Sequence, residues 1–254
     1  MTRRRFYVPP SAFALRDKTV TLSAEETRHA RDVLRLEPGD EVYVFDGEGR
    51  EYSCAVDEFD PKAAVLDLLN EVEPARPESP ALITLAIALL KGEKFDLVVQ
   101  KATELGVHRL APVSTARADV RLRNTDDAKR KVARWQRIAL EATKQCGRAR
   151  LMKIDEVISF NTLIEGETKD EGKLRLMFSE RDGTSFTEFA SGIEAQPQRV
   201  IALVGPEGGW SDEEIELARA HDWQIVTLGG RTLRAETAGI VISALLQHRF
   251  GDLV

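Results

Sequence analysis

Two short stretches combine glycines and charged side chains at spacings that suit small-molecule binding. The first, Gly205-Pro206-Glu207-Gly208-Gly209, follows the apolar run 200–204, and the second, Leu228-Gly229-Gly230-Arg231-Thr232-Leu233-Arg234-Ala235-Glu236-Thr237-Ala238, begins as the apolar run 225–228 ends. A loop built from glycines lets the chain take left-handed turns and lets a ligand approach the backbone closely. One such string reads as an ordinary tight turn. Two of them, one helix apart, with charged residues at the next helix start, point to a binding crevice outside the carboxyl ends of strands. Arg234 is the candidate electrostatic catalyst, because the positive end of a helix dipole adds to its guanidinium. Glu207 and Glu236 are candidate proton acceptors or cation holders. An ion pair from Arg234 to either carboxylate, serving only to brace the loops, accounts for the same residues.

A third feature is charge. Residues 129–150 carry eight basic side chains, Lys129, Arg130, Lys131, Arg134, Arg137, Lys144, Arg148 and Arg150, against the single acid Glu141. The formal net charge of the chain is −6, so nucleic acid would have to be gripped by such a local patch and not by overall charge. Neutralising phosphates with release of counterions is the polyanion reading, and a solvated helix face is the alternative. Arg3, Arg4 and Arg5 at the amino end, with Arg28 and Arg31 on a short helix, form a second basic group.

The elements that must position these groups follow from periodicity. Residues 200–204 and 225–228 have the length and bounded ends of buried strands, and Ser211-Asp212-Glu213-Glu214 fits a capping box opening a helix to about residue 221. Upstream, the run 82–90, an amphipathic helix over 95–105 ended by Gly106 at C′, and a strand at 110–113 repeat the strand-helix-strand order that predicts a parallel sheet with helices on both faces. A helix over 128–146 places Val132, Trp135, Ala139, Ala142 and Cys146 on one face. Residues 161–172 read as a surface connection before a strand at 174–178, and residues 184–193 as a further short helix. Residues 1–72 read as a β-rich unit with a hairpin signal at Asp46-Gly47 and a capped helix from Ser23. The stretch 73–80, with three prolines, reads as a linker, and 81–254 as a second domain.

The GPEGG string, followed by LGGRTLRAETA, resembles the C-terminal signature of the ribosomal RNA small subunit methyltransferase E family, of the SPOUT class. Lys101 to Val107, Glu141 to Arg148 and Arg4-Arg5-Phe6 extend the resemblance over nearly the whole chain. It implies an α/β protein: a C-terminal SPOUT domain with a trefoil-knotted, mostly parallel sheet, and a small N-terminal PUA-like β-barrel that positions RNA. It implies methylation of N3 of a uridine in 16S ribosomal RNA, with S-adenosylmethionine as donor and the small ribosomal subunit as partner. Leu203, Gly205, Pro206, Glu207, Gly208, Gly209, Leu228, Gly229, Leu233, Arg234 and Ala238 would then wrap the donor, Glu207 or Glu236 would take the proton or hold the methionine amino group, and Arg3, Arg4, Arg5, Arg28, Arg31, Arg134, Arg137, Arg148 and Arg150 would touch RNA.

The remaining composition fits an enzyme that works by positioning. Cys54 and Cys146 are too few for a disulfide framework, and the four histidines show no ligand spacing, so no metal is expected. No apolar run reaches the roughly 20 residues of a membrane span and the start lacks a signal peptide's apolar core, so a cytoplasmic location is expected. A nucleotide-phosphate enzyme would also use glycine loops, but neither phosphate-loop signature is present and Glu207 would repel phosphate. A non-catalytic RNA binder leaves the two loops without a purpose. The terminal helix carries Ala238, Val241, Ile242, Leu245, Leu246 and Phe250 on one stripe, with Ile240, Ala244 and the bare surface of Gly239 off it, and this wide apolar circumference leads to a homodimer.

Overall fold

A computed structural model describes residues 3–60, 63–167 and 172–253, which form two compact units. The first comprises residues up to Glu78 together with Thr143–Leu151; the second comprises Ser79–Ala142 and the chain from Met152 onward.

The first unit is a six-stranded sheet of β1 (Arg5–Tyr7), β2 (Phe13–Ala14), β3 (Thr19–Thr21), β4 (Glu41–Phe45), β5 (Glu51–Phe59) and β6 (Ala64–Val72). Its order is β1-β4-β5-β6-β3-β2, antiparallel except for β1 against β4. Alternation along β4 and β5 sends Val42, Val44, Cys54 and Val56 into a core with Phe6, Val20 and Leu66. The helix α1 (Ala24–Arg28) is capped by Ser23, whose side chain accepts from the Glu26 N–H, and it runs on into a π-helical turn over His29–Val33. The prolines at 73–80 do not make a free linker. Ala75 N–H donates to Glu51 at 3.0 Å, and Glu78 takes the Arg148 guanidinium at 2.6 Å. The segment Thr143–Leu151 folds with this unit because its backbone is paired to it: Leu151 N–H donates to the Gly47 carbonyl at 2.9 Å, and Gly49 N–H to that of Ala149 at 3.2 Å.

The second unit is built from β7 (Leu82–Ala88), α2 (Glu93–Glu104), β8 (Arg109–Ser114), α3 (Thr125–Cys146), β9 (Lys153–Ile154), β10 (Ile158–Ser159), α4 (Phe160–Gly166), β11 (Lys173–Phe178), β12 (Thr184–Ser185), α5 (Phe186–Ser191), β13 (Arg199–Val204), α6 (Asp212–Ala220), β14 (Gln224–Thr227) and α7 (Ala235–Phe250). All its strand pairs are parallel, in the order β10-β8-β7-β13-β11-β14-β12, with β9 also on β8. One apolar layer packs α2, α3, α5 and α7 on one face, and another packs α4 and α6 on the other. The helix α4 occupies much of the stretch read above as a surface connection. Ser159 caps it, and its sparse apolar residues Phe160, Leu163 and Ile164 sit at helical spacing and are all buried; residues 168–171 lie outside the described chain.

The local signals at the sheet edge hold. Ser211 and Glu214 form the reciprocal capping box, and Gly106 sits just past α2 with φ +75°. The other Glu214 oxygen accepts from Ala116 N–H at 3.0 Å, tying the start of α6 to the loop after β8. Trp210, fully buried, donates its indole N–H to the Phe178 carbonyl at 2.8 Å. A Cβ at Gly205 would lie 2.9 Å from the same ring. Trp210→Phe should therefore lower stability by about 2 kcal/mol, since it orphans a buried carbonyl, with Phe178 and the GPEGG loop losing hydrogen-exchange protection first; urea denaturation with an unchanged midpoint would refute this.

Candidate functional site

A parallel sheet delivers every strand's carboxyl end to one edge. At that edge Ala88, Val204, Phe178 and Thr227 close the four adjacent strands β7, β13, β11 and β14. The loops that follow enclose a cavity of about 570 Å³. Gly205, Pro206, Glu207, Gly208 and Gly209 form one wall, and residues Leu228 to Arg234, with Ala235 and Ala238, form the other. The two glycine loops are thus brought together, although their strands are not neighbours: β11 lies between them and contributes Phe178, Ser179 and Glu180.

The glycines differ in what they permit. Gly229 and Gly230 have φ of +68° and +69°, and a Cβ on either would meet no atom within 4 Å, so their left-handed backbone is bare toward open space. Gly208 and Gly209 are instead pressed by protein: a Cβ at Gly208 would lie 3.1 Å from Arg117, and at Gly209 it would collide with Glu180. Arg117 and Arg181 both donate to the Trp210 carbonyl, at 3.0 and 2.8 Å.

Arg234 is the N-cap residue of α7, exposed at the cavity, and it makes no ion pair to Glu207 or Glu236. That role belongs to Lys94, whose Nζ lies 3.0 Å from Glu207 Oε1 and 3.9 Å from Glu236 Oε2. Beside it Lys91 pairs with Asp119 at 2.8 Å, which raises the Lys91 ammonium and holds the exposed Asp119 carboxyl below its ordinary range.

Two candidates move off the cavity wall. Leu203 is fully buried under the sheet edge among Met177, Trp210 and Ile215, because it points to the opposite sheet face from Val204, which does line the cavity. Glu236 also lies outside the lining: Ala235 and Ala238, three apart, turn toward the cavity, and the intervening helix turn aims Glu236 at Lys94. Its side chain is 13% exposed, and its Oε2 has no hydrogen-bond partner among the described residues. Lys94, Glu180, Thr227, Arg231 and Thr232 are lining residues missed in the sequence. Lys94 follows β7 through Lys91-Gly92-Glu93, where Gly92 has φ +57°, so the strand-then-glycine rule that marked the other loops marks this one too.

Among the RNA candidates, Arg5 and Arg148 are put to another use. Arg5 is held by Glu51 at 2.9 Å with the pair nearly closed to solvent, and Arg148, 5% exposed, is held by Glu78. Buried charges must be paired, and these guanidiniums are consumed in the first unit's own cohesion. Arg3 shares Glu51, with about a third of its side chain exposed. Arg4, Arg28, Arg31 and, less fully, Arg150 remain accessible in the first unit; in the second, Arg134 pairs with Asp96 while staying 62% exposed, and Arg137 is exposed.

The chain matches an RNA methyltransferase domain over residues 77–247 and an RNA methyltransferase PUA domain over residues 22–69. The parallel-sheet unit and the β-rich unit are therefore those of an RNA methyltransferase carrying a PUA domain. It is 33% identical over 236 residues to the ribosomal RNA small subunit methyltransferase E of Synechocystis, covering 91% of this chain and 75% of that one. To the Bacillus subtilis protein of the same name it is 30% identical, covering 91% and 90%. The crystal structure of a ribosomal RNA small subunit methyltransferase E from Neisseria gonorrhoeae bound to S-adenosyl methionine superposes with a TM-score of 0.84 at 31% identity over 100% of both chains. The chain belongs to the ribosomal RNA small subunit methyltransferase E family.

The division of the arginines is testable. Arg148→Met should cost about 2–3 kcal/mol of stability because Glu78 loses its buried partner, whereas Arg137→Met should stay within about 0.5 kcal/mol; equal effects in thermal denaturation would return Arg148 to the surface group.

Proposed function

We propose that this chain methylates ribosomal RNA of the small subunit at N3 of a uridine, with S-adenosylmethionine as donor, acting in the cytoplasm on the assembled small subunit. The observation that carries this reading is the cavity between the two glycine loops. Its volume, about 570 Å³, suits a ligand of that size, and the bare backbone of Gly229 and Gly230 is a cradle that a Cβ would fill. When bound, S-adenosylmethionine supplies a methyl group activated by the sulfonium charge.

What this chain's residues would do follows from uridine chemistry. N3 carries a weakly acidic proton that must leave before or as the new N–C bond forms, and the resulting negative charge spreads onto the flanking carbonyl oxygens. The Arg234 guanidinium, at the positive end of α7 and lining the cavity, would stabilise that charge. Glu207, a carboxylate lining the cavity alongside Glu180, is suited to taking the proton or holding a ligand ammonium. The rest is positioning by the loop backbones, whose contribution is to hold the reacting groups in line. The exposed arginines, Arg134 and Arg137 on α3 and Arg4, Arg28 and Arg31 in the PUA unit, would meet phosphates. Transfer of labelled methyl to small-subunit RNA, with mass spectrometry of the nucleoside, tests the whole reading; absence of a methylated uridine overturns it. Gly229→Val should retain the fold yet reduce donor affinity at least tenfold by calorimetry, since the β-branched side chain both occupies the cradle and resists positive φ.

The proposal includes a homodimer through α7, on a face differing from the sequence reading. Gly239 is buried, with a Cβ there 2.9 Å from Ile87, so α7 lies on the sheet through Ala235, Gly239, Ile242, Ser243, Leu246 and Phe250. Ile240, Val241 and Ala244 are left half-exposed on the opposite side, while Leu245, also half-buried, packs against the chain's own core. An apolar helix face of that width favours a second copy. Ile240→Asp should yield a monomer, and a monomeric wild type in sedimentation at micromolar concentration would refute the pairing.

A further inference from the structure

An ammonium facing a cavity that takes a sulfonium cation is electrostatically out of place unless something offsets it. Lys94 is that ammonium, and two carboxylates offset it: Glu207 at 3.0 Å from within the cavity wall, and Glu236 at 3.9 Å from behind. One cation between two anions leaves the group with one net negative charge. The position is also costly for α2, because Lys94 lies in its first turn, where the helix dipole repels cations and where Glu93 and Asp96 are the favoured residues. A lysine held against that preference by carboxylates from a loop and from the first turn of α7 is placed for the cavity and not for the helix.

We propose that Lys94, Glu207 and Glu236 set the charge preference of the cavity, favouring a sulfonium donor over its uncharged thioether product, with Glu236 a positioning residue that acts through Lys94. The inference rests on the reading that the cavity takes S-adenosylmethionine. The donor and S-adenosylhomocysteine share the adenosine, the ammonium and the carboxylate, so loop contacts and fold integrity affect both alike. Only the sulfonium charge distinguishes them electrostatically, and it feels the net charge of the three side chains. Glu180, Arg231 and Arg234, which also line the cavity, and the Lys91–Asp119 pair beside it remain constant across the comparison.

Calorimetric titration of the full chain with each ligand tests this. In Lys94→Met the group's charge becomes more negative, and the ratio of donor to product affinity should rise about three- to tenfold, the size expected for one charge several ångströms away at a partly hydrated site. Lys94→Arg should keep the wild-type ratio. Glu236→Gln should lower it, and the changes should shrink as salt is raised. A ratio unchanged in Lys94→Met, including equal weakening of both ligands as a simple carboxylate contact would give, overturns the inference while leaving the cavity's reading intact. A wild-type chain that binds neither ligand overturns that reading, and the inference with it.

Discussion

Parallel pairing throughout the second sheet is the constraint on which the site depends. In a parallel sheet all strands point one way, so the loops after β7, β13, β11 and β14 have no choice but to share an edge. Residues more than a hundred positions apart in sequence, Lys94 and Glu207, meet there at 3.0 Å. Loops without regular hydrogen bonding need something to hold them in register, and Trp210 does this. Its ring fills the space against Gly205 while its N–H donates to the Phe178 carbonyl, fastening the first glycine loop to the strand that separates it from the second. Glu214 extends the same fastening to the loop after β8 by dividing its two oxygens between Ser211 and Ala116.

Charge divides between structure and site according to burial. In the PUA unit, Glu51 is fully buried and accepts from Arg3, Arg5 and the Ala75 N–H. The Glu51 carboxylate is thereby satisfied and closed, and the Arg5 guanidinium, nearly shut off from solvent, has little freedom to meet a phosphate, while Arg3 keeps about a third of its side chain exposed. In the methyltransferase unit the Lys94 group is open on one side and its charges are unequal in number. A satisfied buried network holds a fold, whereas an unbalanced one facing a cavity responds to the charge of what enters.

What the sequence disclosed was local. The capping box at Ser211, the terminal glycine at Gly106 and the two glycine loops each depend on a few consecutive residues whose backbone preferences are intrinsic, and each stands where it was read. Strand order is another matter: nothing in residues 200–238 says that β11 inserts between β13 and β14, because that choice is made by packing across the chain. The same blindness explains Lys94, invisible as a partner of Glu207 until β7 and β13 are paired, and Arg148, whose basic context hid Glu78. Glu236 and Leu203 lie off the cavity lining for a geometric reason: a loop or helix that reaches a cavity presents only some of its side chains to it, and which ones depends on the rotation that tertiary packing imposes. The short helix α4 lacked a long enough period to be told from a loop, its three buried side chains spanning little more than one turn.

The rotation of α7 shows how one small residue couples these levels. Gly239 lets the helix approach β7 and α2 closely, with Ile87 and Val98 against the place a Cβ would occupy. That close approach sets the angle of the helix about its axis, which in turn decides that Ala235 and Ala238 face the cavity, that Glu236 reaches Lys94, and that Ile240 and Ala244 face away. A larger residue at 239 would push the helix outward and turn it. Cavity wall, Lys94 partner and outer apolar face would then shift as one, because all three lie on a single rigid element whose N-terminus is the site.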